Sequence, residues 1–437
     1  MFKKYDAYKD SGVEWLGKIP SNWDIFSLKR SIDGCFNGLW GSDPKENNDD
    51  IVVLRVADFD RNKLVIDNSK LTLRNIKKSE IGNRLLKKGD LLIEKSGGGD
   101  KTLVGCVVLF NENYKALTSN FVAKMTPKSN VNSYFLNYFF AALYANNINY
   151  QSIKQTTGIQ NLDTNSYLNE KLALPSLHEQ EAIVSFLNQK TSEIDQAIAI
   201  KEQQIALLNE RKQIVIQKAV TQGLNPNVAM KDSGVEWIGQ IPEDWNIDRL
   251  GTILEPISKK GYADKQLLSI TREKGVIVRD VEDDSENHNF IPDDLSNYKL
   301  IEEGQFGMNK MKAWQGSYGV SAYTGIVSPA YYIFRFIKPI HPEFFHWAIR
   351  CKLYVSFFGS ASDGVRIGQW DLSKDRMKHI PFVFPSLEQQ KIIADYLTQQ
   401  TELISEGINQ YSAQIEKLKE YKTTLINDAV TGKIKVA

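Results

Sequence analysis

Two stretches of the chain carry an apolar stripe at helical spacing. From Leu177 to Gln222 there is neither glycine nor proline, and the same holds from Leu387 to Thr431 apart from Gly407. Laid out in heptads, the first run places Val184, Thr191, Ile198, Ile205, Lys212 and Ala219 at a, with Leu187, Ile194, Lys201, Leu208 and Val215 at d. The second places Ala394, Thr401, Ile408, Ile415, Lys422 and Ala429 at a, with Leu397, Ile404, Tyr411, Leu418 and Leu425 at d. Each run is about 45 residues long, roughly 68 Å as a helix. A helix this polar, with so narrow a stripe, does not stay folded alone in water, so the two stripes are expected to bury each other as an intramolecular coiled coil. The chain leaves the first run near Gln222, traverses a globular segment and re-enters at Leu387, which antiparallel packing satisfies most simply. Thr191, Lys212, Thr401 and Lys422 are then polar interruptions that help to fix register.

The segments before each run follow a different rhythm. Ile51 to Val56, Leu91 to Glu94, Val104 to Phe110 and Tyr331 to Ile337 read as short strands between glycine turns, with helical pieces near Tyr134 to Leu143 and Phe344 to Cys351. The fold class expected is α+β, with two compact mixed domains separated by the two long helices.

An internal repeat fixes the plan. The block from Lys9 to Trp23 returns from Lys231 to Trp245 with 11 of 15 positions identical, at an offset of 222. A second pair, beginning at Pro175 and Pro385, repeats at an offset of 210, as do Ala219-Val220-Thr221 and Ala429-Val430-Thr431. Between these landmarks the interiors diverge, apart from a faint echo of Gly89–Lys95 in Gly304–Lys310. The expected division is a first domain over 1–174, a long helix over 175–223, a second domain over 224–384 and a second long helix over 385–437.

Composition narrows the class. With 42% hydrophobic and 24% charged residues the chain is an ordinary folded protein. Its three cysteines have no C-x-x-C spacing, which fits a reducing, cytoplasmic setting, and no run approaches the ~18 apolar residues of a membrane span. Net charge is only +1, from 54 basic and 53 acidic residues, so nothing global announces nucleic acid. Arg84 to Lys128 holds eight Lys/Arg against four Asp/Glu, which is equally the mark of a solvated face.

Candidate contact residues fall in two places per domain. Asn309, Lys310, Lys312, Trp314, Gln315, Ser317 and Tyr318 combine amides, cations and aromatics in a glycine-bounded loop; amides pair with adenine, lysine with guanine, hydroxyls with phosphate. The counterpart in the first domain offers Lys95, Ser96, Lys101 and Thr102. Just before each repeated proline stand Thr156, Gln160 and Asn161, and Arg366, Gln369 and Trp370. The competing reading is a solvated hairpin whose Trp314 is core, and an ordinary turn at the second place. Trp15, Trp23, Trp237 and Trp245 lie in the repeated blocks, which favours packing over docking of a partner.

Catalytic signatures are missing. Gly97 to Thr102 has Asp100 where a P-loop requires glycine, Asp90, Glu94 and Lys95 have the wrong spacing for a metal-dependent nuclease, and the five histidines show no HExxH pattern. No N-P-P-Y-like segment of an amino-methyltransferase occurs.

The opening block Lys9–Trp23, the Pro175–Gln180 block that begins a long helix, and the closing segment Ala429–Ile434, with their duplicates, resemble the specificity subunits of type I restriction-modification enzymes. The resemblance covers the whole chain. It implies a non-catalytic subunit in which each domain reads one half of a bipartite, asymmetric double-stranded DNA target while the helices measure the gap. It implies as partners two modification subunits, which carry S-adenosylmethionine and methylate adenine N6, and two restriction subunits, which use ATP and magnesium. No cofactor, metal or membrane is expected for this chain itself. Two other readings stand beside it, a coiled-coil adaptor that binds proteins only and a self-sufficient nuclease.

Overall fold

The computed structural model describes residues 2–97, 102–156, 158–280, 291–366 and 369–436, with the side chains of 156, 365, 366 and 369 outside that description. The chain divides into two compact units, Met1–Lys201 with Ala413–Ala437, and Glu202–Ser412. The division runs through both long helices, Leu177–Gln222 and Leu387–Val430, rather than at their ends. Each unit is thus a globular head together with a segment of either helix.

In the first unit, a six-stranded sheet runs in the order Ile32–Asn37, Val122–Pro127, Leu91–Glu94, Val107–Leu109, Val65–Ile66, Phe59–Asp60. All neighbours are antiparallel except the Leu109–Val65 pair. A three-stranded sheet, Ala116–Thr118, Asp50–Leu54 and Leu73–Asn75, accompanies it. Helix Ser133–Ala145 starts where the Asn132 side chain accepts the N–H groups of Tyr134 and Phe135, satisfying two of the donors a helix start leaves open. Its Phe135, Phe139 and Phe140 share one core with Ile183, Leu187 and Ile194 of the first long helix and with Leu425, Ile426 and Ala429 of the second.

The second unit repeats the scheme around a four-stranded sheet. Leu254–Ile257, Tyr331–Phe336, Phe306–Asn309 and Tyr318–Val320 form an antiparallel sheet, flanked by Lys259–Lys260, Lys299–Ile301 and Gly325–Val327. Helices Pro342–Arg350 and Lys352–Ser360 supply Phe344, Phe345 and Tyr354 to a core that also takes in Ile216, Ala219, Ile393 and Leu397 of the long helices.

The helix segments are antiparallel within each unit. In the first, Lys422 donates to both carboxylate oxygens of Asp195 at 2.7 and 2.8 Å, and Lys201 to Gln414 at 2.6 Å, so numbering rises along one helix as it falls along the other. In the second, Lys212 reaches Ser405 at 3.1 Å and Leu208 faces Gly407, which gives the same opposite trend. The twelve residues Leu187, Ile194, Ile198, Ile205, Leu208, Val215, Leu397, Ile404, Ile408, Ile415, Leu418 and Leu425 are buried or half-buried. Thr191 and Thr401 are buried, and each turns its hydroxyl onto its own helix, to the carbonyls of Asn188 and Thr398.

The repeated tryptophans pack rather than project. Trp23 and Trp245 are buried, Trp15 meets Phe139 edge-on and Trp237 stacks on Phe357. Trp23 closes on Gly432 just past the second helix, and Trp245 on Gly223 just past the first. Both glycines have positive φ, 72° and 76°, the left-handed turn that ends many helices. A side chain at Gly432 would collide with Pro20, which is why nothing larger fits there. The same repeat extends to a buried glutamine in each head. Gln180 accepts from the Asn132 N–H and donates to the Pro175 carbonyl, while Gln390 accepts from His341 N–H and donates to the Pro385 carbonyl.

The cysteines are free, and no helix among the described residues is long and apolar enough to cross a membrane.

Leu187 lies in a closed core, so Leu187→Ala is expected to lower stability by about 2–5 kcal/mol through the cavity it leaves. Ile200→Ala, on the exposed face of the same helix, should stay within about 0.5 kcal/mol of wild type in urea unfolding. In the second head, His346 makes stability depend on pH. Its Nδ1 accepts the Val320 N–H at 3.2 Å. Burial, reinforced by Arg350, pushes its imidazole down from 6.5 to about 4, so it stays neutral when folded. Below pH 6.5 the unfolded chain binds a proton that the folded one refuses, so this group's stability is complete above 6.5 and is lost as pH falls to about 4. Unfolding midpoints of His346→Gln should therefore lose less than wild type between pH 7 and pH 4.

Candidate nucleic-acid interface

In each head, the two places singled out by sequence are brought together at the end of a central strand. In the first, Lys95 follows the strand Leu91–Glu94, and its carbonyl accepts the N–H of Leu162 at 2.8 Å. In the second, Lys310 follows Phe306–Asn309, and its carbonyl accepts the N–H of Leu372 at 3.1 Å. Lys95 and Lys310 are the last residues of the two echoing segments, and Leu162 and Leu372 lie 210 apart. One backbone joint is therefore present twice, made by a lysine and a leucine each time, with different side chains beside it.

In the first head Ser96 pairs with Asn161, and its hydroxyl meets Asn161 Oδ1 at 2.6 Å. Lys95 donates to Asn37 at 2.6 Å from a half-buried position, while Asn161 and Thr102 are exposed. Gln160 points the other way. It is 4% exposed, and its Oε1 accepts the Val104 N–H at 3.1 Å, so it braces the hairpin from beneath. Lys101 lies outside the described residues, as does the side chain of Thr156, whose backbone pairs with Ile159.

In the second head Lys310 pairs with Asp371 at 2.9 Å, a bond that holds its ammonium above the ordinary lysine range. The rings of Trp314 and Trp370 lie 5.3 Å apart at 30°, so Trp314 is half-buried against a hairpin tryptophan that remains 37% exposed. Lys312 is exposed and Gln315 half-buried. Three candidates turn inward. Tyr318 is fully buried against Phe306 and Phe358, Ser317 is buried with it, and Asn309 uses its Oδ1 to accept the Met311 N–H. For Tyr318 the phosphate contact expected from sequence is corrected: strand alternation from Phe306 across the sheet sends this side chain into the core. Arg366 and Gln369 pair through their backbones at the hairpin tip, and their side chains lie outside the described residues.

Nearby carboxylates are already engaged. Glu94, fully buried, meets Arg61 at 2.7 Å; burial pushes its carboxyl above the usual range while Arg61 opposes that shift. Asp90 is buried beside Lys124 at 3.3 Å. Among the described residues no group of three His, Cys, Asp or Glu could hold a metal.

Sequence reading missed a cleft of about 380 Å³ next to Ser96 and Gly97, walled by Trp40, Arg55 and Phe121. Trp40 and Phe121 are 39% and 50% exposed, and Arg74 lies over the Trp40 ring at 4.6 Å. Exposed aromatic faces beside guanidinium groups suit base stacking and phosphate contact together. The only sequence signal was Trp40 between Gly38 and Gly41, with nothing to link it to Phe121.

Residues 20–210 and 242–417 match the type I restriction modification DNA specificity domain, one match for each half of the duplication. The chain belongs to that family. Two proteins of Methanocaldococcus jannaschii are similar over much of their length. One, provisionally named the type I restriction enzyme MjaX specificity subunit, is 25% identical over all of this chain and 98% of its own. The other, the type I restriction enzyme MjaVIII specificity subunit, is 26% identical over 74% of this chain and 75% of its own. The fold is shared with a chain from a structural study of assembly and conformational transition in the type I R-M system, at TM-score 0.66 and 13% identity over 94% of this chain and 98% of that one. It is shared also with the HsdS subunit from Thermoanaerobacter tengcongensis, at TM-score 0.52 and 14% identity over 95% and 98%.

For a specificity subunit, the exposed side chains at the two joints are those expected to matter. Trp370→Ala should weaken binding of target DNA by about tenfold, in the range for loss of one stacked aromatic. Tyr318→Phe, which deletes only a buried hydroxyl, should leave affinity unchanged when both are measured by titration of labelled duplex with the assembled enzyme.

Proposed function

We propose that this chain reads a split, asymmetric DNA sequence, one half with each head, and directs adenine N6 methylation or ATP-dependent restriction by partner subunits. Its role as a DNA-specificity subunit follows from its family, and the chemistry belongs to other chains. The observation that supports the bipartite reading is the duplicated joint, Lys95 with Leu162 and Lys310 with Leu372, displaying Ser96 and Asn161 in one head and a Lys310–Asp371 pair with Trp314 and Trp370 in the other. Equal scaffolds with unequal surfaces suit unequal half-sites.

The working partners in this reading are double-stranded DNA, two modification subunits that bring S-adenosylmethionine, and two restriction subunits that bring ATP and magnesium, all in the cytoplasm. The heads correspond to 1–174 and 224–384, and the helices over 175–223 and 385–437 set the gap between the half-sites. Lys95, Ser96, Thr102 and Asn161 serve the first half, and Lys310, Lys312, Trp314, Gln315 and Trp370 the second.

Cells that express this chain with its modification subunit should carry N6-methyladenine in one two-part motif when their methylome is sequenced. Gln315→Ala should relax bases in one part only. Methylation scattered without a motif, or none at all, would reject the reading.

A further inference from the structure

The second head carries a cluster of lysines beside its joint that the candidate residues do not account for. Lys260 and Lys299 are direct partners across the antiparallel pair of Lys259–Lys260 with Lys299–Ile301. Like charges placed opposite each other on a sheet cost stability, so this arrangement needs a compensating use. Lys299 is half-buried and donates to the Tyr331 carbonyl at 2.7 Å, and Tyr331 is in turn the strand partner of Asn309. The ammonium of Lys374 lies 4.1 Å from the centre of the Tyr332 ring. Lys310, next along the chain from Asn309, completes the group, and its partner Asp371 neutralises it.

The neighbouring Lys259 is likewise matched, by Glu302 at 2.9 Å. Among the described residues no carboxylate lies within ion-pair distance of Lys260, Lys299 or Lys374. Their mutual repulsion also registers on Lys299, whose ammonium is held below the ordinary lysine range by burial first and by Lys374, Lys260 and Lys310 next. Three cations around two tyrosines thus form a site for an anion with several acceptor oxygens. Among the described residues the first head has no counterpart. Thr164 stands at the position 210 before Lys374, and the strand partner of Glu94 is Val122 where that of Asn309 is Tyr331.

We propose that Lys260, Lys299 and Lys374 hold a backbone phosphodiester of the DNA read by the second head, and so set how that head sits on the duplex without reading its bases. This rests on the DNA-recognition reading above. Phosphate contacts position a protein on DNA, whereas base contacts select the sequence, so the two roles separate experimentally.

The test uses the assembled methyltransferase with a duplex that carries its motif, titrated over a range of salt concentrations. For the triple variant K260Q/K299Q/K374Q, the slope of log affinity against log salt should shrink by about 0.9 for each phosphate that is no longer neutralised. Its affinity at moderate salt should fall at least tenfold, while the methylated motif stays unchanged in both halves. Its thermal midpoint should equal or exceed that of wild type, since repulsion has been removed. The triple arginine variant should keep the wild-type slope. A triple glutamine variant with unchanged slope and affinity would overturn the proposal, and so would one that alters the bases selected. Failure of the wild-type enzyme to bind any motif would instead overturn the reading on which the proposal rests.

Discussion

Each head depends on burying an apolar face that it cannot cover alone. In the first unit Phe135 and Phe139 close against Leu187, Ile194, Leu425 and Ala429, and in the second Phe344 and Tyr354 share a core with Ile216, Ile393 and Leu397. The helices depend on the same contact, because segments with so narrow a stripe would fray in water. Head and helix pair are therefore one folding problem, and the division into compact units falls inside the helices for that reason.

Against this shared base the two heads have diverged where divergence is cheap. The joint that ties Lys95 to Leu162 and Lys310 to Leu372 uses backbone groups alone, so it places no demand on the side chains beside it. Ser96 and Asn161 can thus be exchanged for an ion pair and an aromatic pair without disturbing the strands beneath. This surface differs between the two heads, while Trp23, Trp245 and the glycines they close upon are the same in both.

This contrast also explains what the sequence discloses. The helix runs and the repeated blocks are visible because heptad spacing and packing around Trp23 and Trp245 constrain residue types position by position. The echo between Gly89–Lys95 and Gly304–Lys310 is faint because the strand between its glycine and its lysine is buried in both heads but filled by different residue types. Gln160 and Tyr318 look like surface chemistry in a glycine-rich context, but a strand sends alternate side chains to opposite faces, and one residue of register decides between solvent and core. The Trp40 cleft and the lysines around Tyr331 were illegible because their members are scattered along the chain and meet only in the folded head.

The buried glutamines Gln180 and Gln390 act as rivets. Each fastens a head to the first turn of its long helix through both ends of one amide, accepting with the oxygen and donating with the nitrogen. A carboxylate of the same shape could not make the second bond, so the fastening is specific to glutamine. Exchange of either glutamine for glutamate would therefore leave the proline carbonyl that opens the helix without its donor, a loss of about 1–3 kcal/mol for a buried acceptor.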